Sequence, residues 1–272
     1  MRMSFARLFA PLLTLIGIAA VSGIALGQNS PVLDGMVERG TIRVGMSASQ
    51  PPFTFRNRDA QLMGMEVDLA NIIADGLRLE LQIVERPFGR LLESLEEGEV
   101  DVVMSGMAIT ADRARAARFV GPYMLSGKSV ITKATTLGKV QDPTQINRDA
   151  IRIGVLENST SLTFVERAVP RATAMTFSDY DVGVQRLLAD EIDALVADMP
   201  ICVLTVLRYP EAGFVTPDTP FTIEPIGMAV SATDAQLHSL LDNYIEALER
   251  AGVIDLLTRT WIKDAGWIKE LP

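Results

Sequence analysis

The chain has 272 residues, 34 of them acidic and 25 basic, and a formal net charge of −9. A surface with this excess of negative charge repels nucleic acid and anionic lipid headgroups, so we expect no nucleic-acid partner. The length suits one large or two modest domains, and the single cysteine, Cys202, leaves the fold without an intramolecular disulfide.

The first 27 residues have the layout of a secretory signal peptide. Arg2 and Arg7 precede an uncharged apolar stretch over residues 8–26, which ends in small residues. We therefore expect cleavage after Gly27 and a mature protein in the periplasm. The mature chain would carry 23 basic and 34 acidic residues, a net charge of −11. An uncleaved membrane anchor is the alternative, because the apolar stretch is long enough to span a bilayer.

Strands and helices alternate along the rest of the chain. Short apolar or alternating segments predict strands, and apolar residues at helical spacing predict helices. The predicted strands are 41–45, 80–85, 100–104, 129–132, 151–155, 172–176 and 194–197. The predicted helices are 66–74, 91–95, one beginning at Thr110, one beginning near Ser161, 182–189, 233–250 and 253–263. This alternation indicates mainly parallel sheets with helices on both faces.

Two proline-containing segments, residues 122–124 and 216–220, look like crossings between two such sheets. We therefore predict an α/β fold of two lobes. Each lobe would be a mainly parallel sheet flanked by helices, and the two crossing segments would form a hinge. The predicted division places residues 28–125 and 220–272 in lobe one and residues 126–219 in lobe two.

Arg113 is the first candidate binding residue. Thr110 is a good N-cap for the predicted helix, and the position three residues later would usefully hold Glu, but it holds Arg113. A cation in the first helical turn opposes the helix dipole by about 0.3–1 kcal/mol, which suggests that an anion lies opposite it. The alternative is an arginine that pairs with a nearby acid or reaches water.

Further candidates lie in the second half of the chain. Ser159 and Thr160 stand at a predicted helix start, where N–H groups and hydroxyls can hold a carboxylate or phosphate, although Ser159 could be an ordinary N-cap. Asp198 follows a predicted strand, where open α/β sheets place ligand contacts, although it could be a surface acid before Pro200. An arginine, a helix start and an acid together suit a molecule that carries a carboxylate and an ammonium.

Eight short motifs follow one another along the chain. They lie at residues 40–45, 51–53, 64–70, 95–101, 104–113, 119–123, 153–160 and 193–198. In their order and spacing they resemble the bacterial extracellular solute-binding proteins of family 3, the amino-acid-binding components of ABC importers. The resemblance covers nearly all of the mature chain. It implies a two-lobed periplasmic-binding-protein fold, an amino-acid-like ligand, an ABC permease as partner, a monomer, and no cofactor or metal.

The resemblance also implies roles for individual residues. Arg113 would pair with the ligand α-carboxylate, helped by the backbone N–H groups of Ala108 and Thr160. Asp198 and the backbone carbonyl of Gly106 would receive the α-ammonium. Ala108 stands where the family usually adds a Ser or Thr hydroxyl to the carboxylate site, which weakens the assignment of an α-amino acid.

Other positions bear on the ligand side chain. The resemblance places Phe88 against that side chain, while Gln50 stands where a second aromatic is common, and Phe53 is the other aromatic expected near the rim of lobe one. Ser47 matches a position where relatives that bind basic amino acids often have an acid. We therefore expect a neutral or polar amino acid, in preference to arginine, lysine or ornithine, unless Glu157 supplies the missing negative charge.

Two other classes of protein are possible alternatives. Exported cyclohexadienyl or arogenate dehydratases resemble the same family, but such an enzyme needs a general acid, and Glu157 and Asp198 are the acids that we can place at the cleft. A sensor input domain would continue into a membrane-spanning segment, and no apolar stretch of that length follows Lys263. We therefore expect a binding protein and not an enzyme.

Overall fold

The computed structural model describes residues 30–133 and 142–271. The predicted signal peptide, residues 1–27, lies outside the described residues. Within the described ranges, none of the helices combines the length and the apolar character needed to cross a membrane.

The described residues form strands and α-helices that we number in chain order. The strands are β1 (Thr41–Met46), β2 (Ser49–Gln50), β3 (Thr54–Arg56), β4 (Leu62–Met63), β5 (Glu80–Glu85), β6 (Val102–Val103), β7 (Ala117–Ser126), β8 (Lys128–Ile131), β9 (Arg152–Leu156), β10 (Thr173–Phe177), β11 (Ala194–Asp198) and β12 (Glu224–Ser231). The helices are α1 (Pro31–Arg39), α2 (Met65–Leu77), α3 (Leu91–Glu96), α4 (Thr160–Ala168), α5 (Tyr180–Leu188), α6 (Met199–Arg208), α7 (Ala235–Arg250) and α8 (Val253–Thr258).

Lobe one is built on a five-stranded sheet with the order β5-β1-β6-β12-β7. β1 pairs in parallel with β5 and β6, while β12 runs antiparallel to both β6 and β7. Residues 122–124, which we expected in a crossing, lie inside β7. A proline is tolerated there because β7 is the edge strand and its outer side needs no ladder hydrogen bonds. A small antiparallel sheet, β2-β3-β4, is also present.

The sheet of lobe one buries both of its faces. Along β12, Met228 and Val230 pack in one hydrophobic cluster, and Ala229 between them packs in another, as expected when successive side chains point to opposite faces. α2 runs beyond its predicted end and passes through Gly76. A Cβ at that glycine would lie 1.7 Å from the Tyr244 hydroxyl oxygen, so Gly76 allows α2 to pack closely against α7.

Lobe two is built on a four-stranded sheet with the order β10-β9-β11-β8. β9 pairs in parallel with β10 and β11, and β8 runs antiparallel to β11. Every residue of β11 is buried, and its apolar run at 194–197 is typical of a strand that is covered on both faces. The two sheets confirm the predicted two-lobed α/β architecture.

The two lobes are joined where β7 passes into β8 and where the chain enters β12. The Lys128 N–H donates to Thr222 Oγ1 at 2.8 Å, and the Phe221 N–H donates to the Lys128 carbonyl at 2.7 Å. Gly127 permits this close approach, because a Cβ there would lie 1.8 Å from the Thr222 carbonyl oxygen. The two crossings therefore run side by side. The residue boundaries of the lobes, at 125/126 and 219/220, stay a prediction.

Candidate ligand-binding site

Arg113 lies in a single turn and not in a helix. The predicted helix from Thr110 is wrong: the structure has one 3-10 turn, Arg113–Arg115, and β7 begins at Ala117. Thr110 still caps this turn, since its Oγ1 accepts the Arg113 N–H at 3.2 Å. One turn has no substantial dipole, so the helix-dipole argument for an anion opposite Arg113 does not apply.

The guanidinium of Arg113 lies between the lobes. Nη1 donates to the Ala108 carbonyl at 3.0 Å, Nη2 donates to the Asn158 carbonyl at 3.4 Å, and the group sits 5.4 Å from the centre of the Phe88 ring. Burial lowers the pKa of Arg113, and the negative charges of Glu224 and Asp198 raise it in part. Within the described residues no carboxylate forms an ion pair with Arg113. The side chain is therefore a candidate for an external anion.

Ala108 presents its backbone to Arg113. It forms an isolated antiparallel bridge with Ile226, and the bonds of that bridge come from the flanking residues, Ile109 N–H to Pro225 and Gly227 N–H to Met107. The N–H and C=O of Ala108 therefore point away from β12. The carbonyl accepts Arg113, and the N–H lies on that same side of the chain.

Gly106 is fixed by a buried carboxylate behind it. Its N–H donates to both oxygens of Glu66, at 2.8 and 2.9 Å, and its φ of +58° is one that favours glycine. The Tyr123 hydroxyl and the Thr54 hydroxyl also donate to Glu66. Burial raises the pKa of Glu66 to about 7, against the opposing effect of these hydrogen bonds. Gly106 is thereby positioned with its amide committed to Glu66.

The residues expected around the ligand side chain lie close together in lobe one. Gln50 and Phe53 are buried beside Gly106: a Cβ built on that glycine would meet Gln50 Oε1 and Phe53 Cδ2, each at 3.1 Å. The Ser47 N–H donates to Ser105 Oγ at 3.0 Å, and the two hydroxyl oxygens lie 2.9 Å apart. The hydroxyl of Ser47 is therefore engaged with a neighbouring serine.

Ser47 also borders an open cavity of about 350 Å³. Residues of both lobes line it, with Asp179 contributed by lobe two. Its lining residues are Ser47, Ala48, Ser49, Arg56, Glu85, Arg86, Pro87, Ser178 and Asp179.

Ser159 and Thr160 have different partners at the start of α4. Ser159 Oγ accepts the Leu162 N–H at 3.3 Å and donates to the Leu156 carbonyl at 2.6 Å, so this hydroxyl serves as the N-cap. Thr160 Oγ1 donates to Glu224 Oε2 at 2.8 Å. Thr160 therefore links the start of the helix to a carboxylate on β12.

Asp198 is already engaged by two side chains near the hinge. Its Oδ1 accepts Ser126 Oγ at 3.0 Å, and its Oδ2 accepts Lys128 Nζ at 3.0 Å. Lys128 Nζ also lies 3.1 Å from Glu224 Oε2, and its side chain is 2 % exposed. Asp198 is thus a member of a buried ion-pair network, together with Lys128 and Glu224.

Sequence reasoning missed both Lys128 and Glu224. A lysine is almost never fully buried unless it is paired, and its partners here are 70 residues away for Asp198 and still further along the chain for Glu224. A lysine in the otherwise small and apolar segment that follows Gly127 is a weak local signal that could have found the network. Within the described ranges, no group of three or more His, Cys, Asp or Glu side chains is placed to hold a metal ion.

The cleft therefore brings together two cationic and two anionic side chains, from Arg113, Lys128, Asp198 and Glu224. Both carboxylates act on Arg113 electrostatically, and both contact Lys128. An arginine without an ion-pair partner can hold a carboxylate, and carboxylate oxygens with unused lone pairs can accept an ammonium. This arrangement suits a small zwitterion.

The chain is similar to several proteins over most of its length. The L-cystine-binding protein TcyJ of Escherichia coli K12 is 24% identical over 252 residues, which cover 92% of this chain and 94% of that protein. The cyclohexadienyl dehydratase of Pseudomonas aeruginosa is 25% identical over 246 residues, which cover 90% and 91%. Other relatives are named as binding arginine, histidine or glutamate, one of them as an ABC transporter protein.

Solved structures and a family profile extend the comparison. The ancestral amino acid-binding protein AncCDT-1, described as a precursor of cyclohexadienyl dehydratase, superposes with a TM-score of 0.78 at 30% identity, covering 85% of this chain and 99% of that one. The structure thus has the two-lobed periplasmic-binding-protein fold. Residues 42–264 match the profile of the bacterial extracellular solute-binding proteins, family 3. The chain belongs to this family.

Proposed function

We propose that this protein captures an amino acid with a neutral or polar side chain, or a close analogue, outside the cytoplasmic membrane and delivers it to an ABC permease. The observation that carries the proposal is the guanidinium of Arg113, which lies between the lobes without a carboxylate partner in the described residues while Asp198 and Glu224 act on it electrostatically. A zwitterion placed there would give Arg113 an anion and the carboxylates a second cation.

In the proposed complex, Arg113 and the N–H groups of Ala108 and Thr160 bind the α-carboxylate. The α-ammonium binds Asp198 and the carbonyl of Gly106. Lobe two carries Asp198 and Thr160, and lobe one carries the other groups, so binding requires both lobes. We expect the lobes to close over the ligand by bending at the paired crossings, with no bond made or broken.

The preference for a neutral or polar side chain rests on residues of lobe one. Ser47 and Gln50 carry no charge, and Phe88 offers one aromatic face that Arg113 already covers. A guanidinium or ammonium that is buried without a carboxylate partner costs several kcal/mol.

The cellular context belongs to the same proposal. We expect export through the signal peptide of residues 1–27, cleavage near Gly27, and a monomeric protein in the periplasm. Intact mass of the exported protein measures the cleavage site. A mass that retains the first 27 residues, with the protein in the membrane fraction, would contradict it.

A dehydratase is the second candidate, because the enzyme of Pseudomonas aeruginosa is as similar to this chain as the binding proteins are. Glu224 joins Asp198 as an acid at the cleft. However, Glu224 and Asp198 accept all of the hydrogen bonds found on their carboxyl groups, from Lys128 and from hydroxyls, and a general acid must donate one. We therefore favour binding without catalysis. Product formation from prephenate or arogenate by the purified protein would reverse this preference.

The binding site is tested by alanine substitution and calorimetry, after a thermal-shift screen of the amino acids has identified the tightest ligand. We expect Arg113→Ala and Asp198→Ala each to weaken binding by about 2–5 kcal/mol, because each leaves a ligand charge without its partner. Arg115→Ala and Asp149→Ala are matched controls, since both side chains are exposed and form surface ion pairs. Unchanged affinity in both site variants, with circular dichroism unaltered, would refute the proposed polarity of the site.

A further inference from the structure

We propose that Lys128 sets the net charge of the ligand that the cleft accepts, by supplying a built-in cation that excludes amino acids with a positively charged side chain. This inference rests on the proposed function and adds to it a residue that selects the ligand. It is independent of Ser47 and Gln50, on which the expected preference for a neutral side chain otherwise depends.

Lys128 is held in place from several directions. It follows Gly127 at the junction of the lobes, and both its backbone N–H and its carbonyl are hydrogen-bonded to the other crossing. Its Nζ lies 3.0 Å from Asp198 Oδ2 and 3.1 Å from Glu224 Oε2. A lysine that is this deeply buried needs such partners, and it cannot leave them without exposing unpaired charges.

The two carboxylates that Lys128 contacts are those available to a ligand cation. Asp198 is the proposed acceptor of the α-ammonium. Glu224 is bound to Thr160 at the start of α4, which is the proposed carboxylate site. Lys128 therefore competes with any ligand cation for the same oxygens, and it neutralises one of the two negative charges.

The formal charges of the side chains at the cleft explain why a cationic ligand would be excluded. Arg113 and Lys128 balance Asp198 and Glu224, so the cleft has no net charge before a ligand enters. A neutral zwitterion preserves the balance. Arginine or lysine would leave one uncompensated positive charge in a closed cleft, where charges are poorly screened.

The count is tested with glutamine and arginine as probes, which share the α-amino-acid group and differ in side-chain charge. Lys128→Met keeps the apolar length of the side chain and gives the cleft one net negative charge. We expect the ratio of arginine affinity to glutamine affinity to rise at least about tenfold over that of the wild type, which is about 1.4 kcal/mol. Titration calorimetry measures both affinities, and circular dichroism shows whether the variant is folded.

Two further variants keep the test decisive if Lys128→Met fails to fold. Glu224→Gln retains Lys128 and its bond to Asp198 and gives the cleft one net positive charge, so we expect arginine affinity to fall relative to glutamine and glutamate affinity to rise. The double variant Lys128→Met/Glu224→Gln restores a net charge of zero, and we expect its ratio to return to within about threefold of the wild type. Lys133→Met removes a half-buried lysine that pairs with Asp190, outside the cluster of Lys128, Asp198 and Glu224, and should leave the ratio unchanged.

The outcomes separate this inference from the proposed function. If folded variants keep the wild-type ratio, or if the wild type binds arginine more tightly than glutamine, amino-acid capture stands and the role of Lys128 is refuted. If the wild type binds none of the amino acids in the preceding screen, the proposed function is refuted and this inference with it.

Discussion

The two lobes contain the same ion pair at the same place in their sheets. In lobe one, Asp101 precedes β6 and accepts the backbone N–H, Nε and Nη2 of Arg43 on β1, at 2.8, 3.3 and 2.6 Å. In lobe two, Asp193 precedes β11 and accepts the same three groups of Arg152 on β9, at 2.8, 3.1 and 2.8 Å. Each pair ties the start of one parallel strand to its neighbour and so fixes their register.

The pairs differ in what surrounds them. Asp101 is 1 % exposed, because α1 packs against β1 and its Arg39 adds a second guanidinium to the same carboxylate. Asp193 is 32 % exposed. An ion pair in water is worth little, whereas removal of one partner from a buried pair is costly because it strands a buried charge. One local geometry can therefore set the strand register in both lobes and still contribute very differently to stability.

Removal of Asp101 is expected to have the largest effect on stability, and removal of Asp193 a much smaller one. We expect Asp101→Ala to lower the free energy of unfolding by about 3–5 kcal/mol, since it leaves two arginines and the Arg43 N–H without their partner. We expect Asp193→Ala to lower it by about 1 kcal/mol or less, because its pair is partly solvated. Urea unfolding followed by circular dichroism measures both. Equal losses would show that burial does not distinguish the two pairs.

Glu66 makes the stability of lobe one depend on pH. Among the described residues no cation pairs with this buried carboxylate, whereas Asp198 of lobe two is paired with Lys128. The pKa of Glu66 is raised from 4.5 to about 7 in the folded protein. Between pH 4.5 and 7, Glu66 is therefore mostly protonated in the folded state and mostly ionised in the unfolded state. The contribution of Glu66 to the free energy of unfolding is therefore fully present below pH 4.5. It declines as the pH rises to 7, by about 3 kcal/mol at most.

The control for this pH effect is Glu66→Gln, which cannot ionise. We expect the urea concentration at the unfolding midpoint of the wild type to decrease as the pH rises from 4.5 to 7. The midpoint of the variant should change much less over the same range. A wild-type profile that rises across this interval, with Glu66→Gln rising in parallel, would contradict the expected protonation of Glu66.

Helix caps give the smallest expected difference. Asp234 is fully buried and accepts the Leu237 N–H at the start of α7 together with the Val32 and Leu33 N–H groups of α1. Asp179 is more exposed and caps only α5, by accepting the Val182 N–H. We expect Asp234→Ala to cost about 2–3 kcal/mol and Asp179→Ala about 1 kcal/mol. Thermal unfolding of both variants measures the difference, and a larger loss for Asp179→Ala would reverse the ranking.

Much of the fold could be predicted from the sequence because local periodicity decides it. The strand at 80–85 and the alternation of strands with helices follow from such patterns. The helix expected from Thr110 is wrong because β7 begins at Ala117 and leaves room for one turn. β12 was missed because its role depends on pairing with β6 and β7, which are distant in sequence.

The candidate site could be predicted less completely. Arg113 and Asp198 were identified from local context and from the family resemblance, and the structure places Arg113 between the lobes and Asp198 beside the hinge. Lys128 and Glu224 were not identified, because their significance lies in a contact between two crossings far apart in the chain. A charged residue in a sequence pattern is most simply interpreted as solvated, because most charged side chains are exposed. The sequence of Lys128 and its neighbours gives no direct sign that the side chain is buried.

At Gly127 the two crossings lie in close contact, so the width of the cleft depends on backbone atoms that lie outside it. The methyl group of an alanine at this position would collide with the Thr222 carbonyl, a backbone atom that cannot swing aside as a flexible side chain could. The two crossings would have to separate, and with them Ser126 and Lys128, the neighbours of Gly127 that hold Asp198. We therefore expect Gly127→Ala to change the affinity for the proposed ligand through the angle between the lobes, because the added carbon atom would push the crossings apart.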